Sequence, residues 1–163
     1  NWFQLYLQRS YSDIYTESFS ATCMTVYWFG MLGSRLLSMA LADKVTPRRF
    51  ITIGSAVGVA AQLLGLLGNT HTLWLITCLL LGLCTGGIYP LTFSISIAYF
   101  PQSSARITSL LSIISSIGGI LLSLFMGKLA ELSMFAAMFV PLVCLLIVFL
   151  LIRFRFSDEP KEA

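Results

Sequence analysis

A single ionisable side chain, Arg35, lies deep inside an apolar stretch, Ser18–Ala42. It stands eight residues before Asp43, about 12 Å from that end if the stretch is helical at 1.5 Å per residue. A charge held there costs at least about 2.5–3.5 kcal/mol unless it is paired or hydrated. Two readings stand. Arg35 snorkels and bonds backbone carbonyls or Asp43, or it faces a water-filled pathway for a substrate or coupling ion. A second constellation is Thr85-Gly86-Gly87-Ile88-Tyr89-Pro90. Gly86 and Gly87 weaken a helix, and Pro90 removes one backbone bond. Thr85 and Tyr89, four residues apart, then share a face beside the break. Interrupted helices of this kind occur at transporter binding sites; a simple packing kink is the other explanation. Gln4, Tyr27 and Trp28 complete the candidate pathway residues. The aromatics also suit membrane-interface anchors, although Trp28 is deep for that role.

Other chemistry is poorly supplied. Cys23, Cys78, Cys84 and Cys144 all fall in apolar segments without a CxxC pair, and the one histidine, His71, stands apart from any second ligand type. Metal binding needs clustered ligands, so the cysteines read as buried small apolar residues and His71 as an exposed loop residue. No cofactor is expected. An enzyme would need a nucleophile, metal set or acid–base pair, and the apolar segments hold scattered Ser, Thr, Tyr and Cys without a partner base. No Asp or Glu lies mid-segment. Any proton carrier, which in a membrane is an intramembrane carboxylate or histidine, is therefore expected outside these 163 residues.

The composition explains what must position these groups. The chain is 57% hydrophobic and only 10% charged, against about 25% charged in a soluble domain. It has too few charges for a water-facing surface or for nucleic-acid binding. The apolar runs are 1–7 (the tail of a span), 18–42, 50–68, 72–100, 107–128 and 132–152, with a polar tail over 153–163. The five complete runs are long enough to cross about 30 Å of hydrocarbon as helices. Lipid cannot satisfy exposed backbone groups, so helices are required. Because the chain opens on Asn1 within an apolar run, it reads as the end of a longer protein. Lys44, Arg48, Arg49, Arg106, Arg153, Arg155 and Lys161 fall in connections on one side, and only Arg9 and Lys128 on the other. The positive-inside rule places the first group, and the C-terminus, in the cytoplasm. Small residues let membrane helices approach. Gly54/Gly58 and Gly82/Gly86 are GxxxG pairs, and Ser115, Gly119, Ser123 and Gly127 recur every four residues. They read as packing faces, or as a sliding surface between moving bundles. The last run, almost without polar atoms, reads as a lipid-facing scaffold.

The connection Leu41-Ala42-Asp43-Lys44-Val45-Thr46-Pro47-Arg48-Arg49 resembles the G-x-L-A-D-R-x-G-R-R loop of the major facilitator superfamily. Asp43, Lys44, Arg48 and Arg49 match by type; Met39 and Pro47 replace the two glycines. Gly30–Ser38 resembles the G-R-L-L segment of that family's eighth helix. Trp2 to Leu7, together with Gly87-Ile88-Tyr89-Pro90 and Tyr99-Phe100-Pro101, is similar to the seventh and tenth helices of fucose-permease-like sugar:proton symporters. The resemblance implies an all-α integral membrane fold, the C-terminal six-helix half (late helix 7 to helix 12) of a twelve-helix transporter. It implies alternating access for a small polar solute, a sugar or related metabolite moved with protons across the cell membrane. The partners would be the lipid bilayer and an N-terminal six-helix half. Asp43, Lys44, Arg48 and Arg49 would gate the cytoplasmic side. Arg35 leaves an anionic solute open, and a non-transporting assembly or sensor subunit is the other alternative.

Overall fold

The computed structural model describes residues 2–10, 16–68 and 70–155. Asp13, Asn69 and the tail from 156 onward lie outside the described residues. Eight helices follow in order: α1 Trp2–Ser10, α2 Glu17–Ala40, α3 Pro47–Leu67, α4 His71–Thr85, α5 Ile88–Tyr99, α6 Ser104–Leu132, α7 Met134–Ala137 and α8 Phe139–Arg155, with a short 3-10 turn before α6.

Local chemistry starts several of them. Thr16 caps α2, its Oγ1 accepting from the Phe19 N–H at 3.3 Å. Thr46 caps α3 by accepting from the Arg49 N–H at 3.4 Å, and Pro47 follows at the first helical position. Such a cap satisfies one of the orphan donors of a first turn, and proline there loses no helical bond. Thr46-Pro47 is therefore a helix-start signal, which gives a physical reason for proline where the family motif has glycine.

Among the described residues, four helical stretches are long and apolar enough to cross a membrane: Pro47–Leu67, His71–Tyr99, Pro101–Leu132 and Met134–Phe154. The 24-residue α2 is long enough, but it is not among those four. It carries Arg35 among its serines and threonines, which lower its hydropathy. The fourth run extends further than its sequence pattern indicated, since Lys128 and Glu131 belong to α6 rather than to a connection. The last run is stepped. It divides at Met138 into α7 and α8, and Pro141, in the first turn of α8, has no N–H to continue the ladder from α7.

The centre of the bundle is the α2–α4 pair. A Cβ added to Gly30 would lie 2.6 Å from the Leu79 carbonyl oxygen, and one on Gly86 2.5 Å from that of Met31. A Cβ on Gly82 would collide with the Tyr27 carbonyl oxygen. These backbones touch because glycine leaves room. Gly54 brings α3 near Cys84 of α4, less closely, with 3.1 Å from an added Cβ to its carbonyl oxygen, while Gly58 faces side chains of Leu145 and Cys84 at 3.3–3.4 Å. Both GxxxG pairs thus serve packing. The α6 row does not within this chain: Gly118 and Gly119 have nothing within 4 Å, and Ser115 and Ser123 are exposed. A second cluster joins α1 to this centre through Tyr6, Leu7, Cys23, Trp74, Cys78 and Met138. The Tyr6 and Trp74 rings meet edge to face at 5.9 Å.

Gly82→Ala is expected to lower the thermal unfolding midpoint in detergent, because overpacking costs about 1–3 kcal/mol. Gly58→Ala, which meets only mobile side chains, is expected to be neutral or stabilising, since alanine gains up to about 1 kcal/mol of helix propensity. Equal losses from both would contradict a backbone contact at Gly82.

Candidate functional site

The seam between α2 and α4 brings two candidate residues together. The Tyr27 and Thr85 hydroxyls lie 3.3 Å apart. Thr85 Oγ1 also donates to the Leu81 carbonyl at 2.8 Å. A threonine hydroxyl has one proton, so Tyr27 must be the donor between them. The phenol oxygen of Tyr27 then keeps its lone pairs for a further donor. Trp28 stacks edge to face on Tyr27 at 5.9 Å and is otherwise exposed.

Thr85 is the last residue of α4. Gly86 and Gly87 form the step to α5, both with right-handed helical dihedrals (φ −61°, ψ −33° and φ −86°, ψ −18°). The step is a gentle one. The glycines are required by what faces them: a Cβ on Gly86 would crowd Met31 and Ser34, and one on Gly87 would lie 2.7 Å from the Phe50 ring. Pro90 falls in the first turn of α5, where a missing N–H costs little.

Beyond the step, a cleft of about 350 Å³ opens between α5 and α6. Thr85, Tyr89, Thr92 and Ser115 carry its hydroxyls. Thr92 Oγ1 donates back to the Ile88 carbonyl at 2.7 Å, as Thr85 does to Leu81. The Thr92 oxygen therefore keeps its acceptor capacity beside the cleft, whereas that of Thr85 already accepts from Tyr27. Tyr89 is half exposed and its ring leans on Phe93, 4.6 Å between centroids.

The remaining candidates are placed elsewhere. Arg35 projects from the exposed side of α2, on the stripe with Trp28, Leu32 and Met39 and away from the buried Ser34. Gln4, half-buried on α1, is not among the residues lining the cleft or the seam. Asp43, Lys44 and Arg49 are exposed. Arg48 turns to the end of α8: its Nε donates to the Ile152 carbonyl at 3.2 Å and its Nη2 to that of Arg153 at 3.1 Å. These carbonyls belong to the last described turn of α8, and carbonyls at a helix C-terminal end carry partial negative charge that favours a cation. The contact also puts the 43–49 connection and the end of α8 at one end of the bundle. Phe19 and His71, with rings 4.6 Å apart, mark the opposite end.

One buried polar residue escaped the sequence reading. Gln62, within the apolar run of α3, donates from Nε2 to the Met138 carbonyl at 3.2 Å. It ties α3 to the step between α7 and α8. An uncharged amide in an apolar run was the available signal.

A family model described as Major Facilitator Superfamily matches residues 3–163. The chain belongs to the Major Facilitator Superfamily. No curated protein and no solved structure matches it. Membership in this family of transporters, with four apolar membrane-length helices among the described residues, makes this an integral membrane protein of a transporter family. Among the described residues no group of three or more His, Cys, Asp or Glu could hold a metal.

In the facilitator protein, Arg48→Ala is expected to increase amide exchange in the last turn of α8, because hydrogen bonds from a charged donor contribute about 1.5–3 kcal/mol when shielded and less at this partly exposed end. Unchanged exchange there would show that the capping contact is not maintained. Gln62→Leu is expected to destabilise by about 0.6 kcal/mol, up to about 1.7, as interhelical side-chain bonds do in membranes, read from thermal unfolding in detergent.

Proposed function

We propose that this chain is the C-terminal, late-helix-7 to helix-12 half of a secondary transporter that moves a small polar solute by alternating access, its C-terminus cytoplasmic in the cell membrane. The family match and the basic connections support the architecture, because Arg48 and Arg153, both on the side the positive-inside rule assigns to the cytoplasm, meet at one end of the bundle. The observation that carries the solute reading is the hydroxyl-lined cleft at the α4–α5 step. Thr92 offers an acceptor and Tyr89 a hydroxyl that both donates and accepts, which suits a solute with O–H donors, such as a sugar or related metabolite. Proton coupling rests on the resemblance to sugar:proton symporters, and its carrier lies with the N-terminal half. The charged 43–49 connection then works at the cytoplasmic gate. Arg48 holds α8, while Asp43, Lys44 and Arg49 remain exposed to the opposing half.

A second reading concerns charge. Arg35 projects from the exposed stripe of α2. An intramembrane cation requires a counter-charge, supplied either by an acid of the other half or by an anionic solute.

The test is uptake of labelled sugars and small organic anions into vesicles holding the purified protein, with and without an inward proton gradient. Saturable uptake is expected, and Thr92→Val and Tyr89→Phe are each expected to raise KM about threefold to tenfold, the equivalent of one hydrogen bond. Saturable uptake untouched by both substitutions would remove the cleft from the pathway. Uptake without saturation or gradient dependence for any solute would contradict transport by this route.

A further inference from the structure

Thr85 has a second side. Behind it, between α2, α3, α4, α6 and α8, lies a partly open cavity of about 390 Å³. Like the cleft it is walled mainly by apolar atoms, but its character is set by sulfur. Met24, Cys78, Met126, Met138 and Cys144 bring five sulfur-bearing side chains to its wall, and aliphatic residues make up most of the remainder. Sulfur side chains are polarisable and adaptable, and thioethers contact aromatic rings favourably. Such a wall suits flat or irregular apolar bodies and offers water few partners. The volume lies within the range of small-molecule pockets.

The polar exceptions give the cavity a direction. Gln62 is committed to the Met138 carbonyl. Tyr27 has given its proton to Thr85, whose own proton goes to Leu81. The phenol oxygen therefore meets the cavity as an acceptor, and a ligand satisfies it with an O–H or N–H. From this geometry we infer that the cavity is a binding site for a lipophilic small molecule with an aromatic or compact aliphatic body and one hydrogen-bond donor, placed so that the donor reaches Tyr27 Oη. A phenol, an aniline or an indole has this chemistry. A sugar does not, because its remaining hydroxyls would lack partners against the sulfur wall. Occupancy does not depend on which solute the protein carries.

The experiment is photolabelling of the purified protein in lipid vesicles with a phenyl diazirine, followed by peptide mapping. Competition by 1-naphthol is compared with that by 1-methoxynaphthalene, which has the same rings and no donor. Labelling is expected to saturate and to concentrate at Cys78, Leu81, Met126 and Met138. 1-Naphthol is expected to displace it at a concentration about threefold to tenfold lower than the ether, the effect of one hydrogen bond. Tyr27→Phe is expected to bring the two competitors together, and Leu81→Trp, which fills the cavity, to abolish the saturable component. Should Leu81→Trp fail to fold, Tyr27→Phe, which deletes one oxygen, still decides the matter. Labelling that rises linearly with probe and spreads along the outward faces of α6 and α8 would overturn the proposal. So would a preference for 1-naphthol that survives in Tyr27→Phe.

Discussion

Two backbones in contact set the geometry of this bundle. Where α2 crosses α4, Gly30, Gly82 and Gly86 leave no side chain between the helices, and carbonyl oxygens lie where a Cβ would otherwise stand. In hydrocarbon there is no hydrophobic force to press two apolar helices together, so association depends on close packing and on bonds across the interface. The seam supplies both. It brings the Tyr27 hydroxyl onto Thr85 and holds the end of α4 rigid at the point where the helix steps into α5. What lies on either side of Thr85 follows from that: a cleft with hydroxyl acceptors toward α6, and a sulfur-lined cavity toward α3 and α8.

The outer helices are bound more loosely, and by different means. α3 is attached through Gly54 and Gly58, and through Gln62 to the step before α8. The far end of α8 is held by Arg48 from the opposite end of α3. α8 is thus fastened at both ends by polar contacts and packed between them by Leu145. α6 is the exception, with almost all of its length exposed in this chain. Its small residues face open space, which is what a surface that meets another helix layer requires. In this Major Facilitator Superfamily member the bundle is thus close-packed at its centre and open along one helix.

Much of this was legible in the sequence because membranes simplify the code. Uninterrupted apolar runs have one allowed conformation, so the helices over 50–68, 107–128 and 132–152 could be located to within a few residues at most ends. Glycines four apart identified the packing seams at Gly54/Gly58 and Gly82/Gly86, and Asp43–Arg49 identified the family. Other features depend on three-dimensional neighbours. Gly30 is followed four residues later by Ser34, a small pair whose role shows only when α4 is placed against it. Gln62 became informative only when Met138 was placed beside it. Arg48 read as a gating charge, yet its described bonds go to the carbonyls of α8, about a hundred residues distant in the chain. Pro90 was visible as an interruption, but whether it falls in a first turn or a helix interior depends on where the ladder restarts.

The central physical claim is that α2 and α4 move as one body. Spin labels at the exposed positions Leu32 of α2 and Leu79 of α4, with the protein in vesicles with and without an imposed proton gradient, measure it directly by pulsed dipolar spectroscopy. One narrow distance, unchanged by the gradient, is the result this account predicts. Two populated distances, or a distribution that broadens when the gradient is applied, would show that the glycine seam opens and would contradict it.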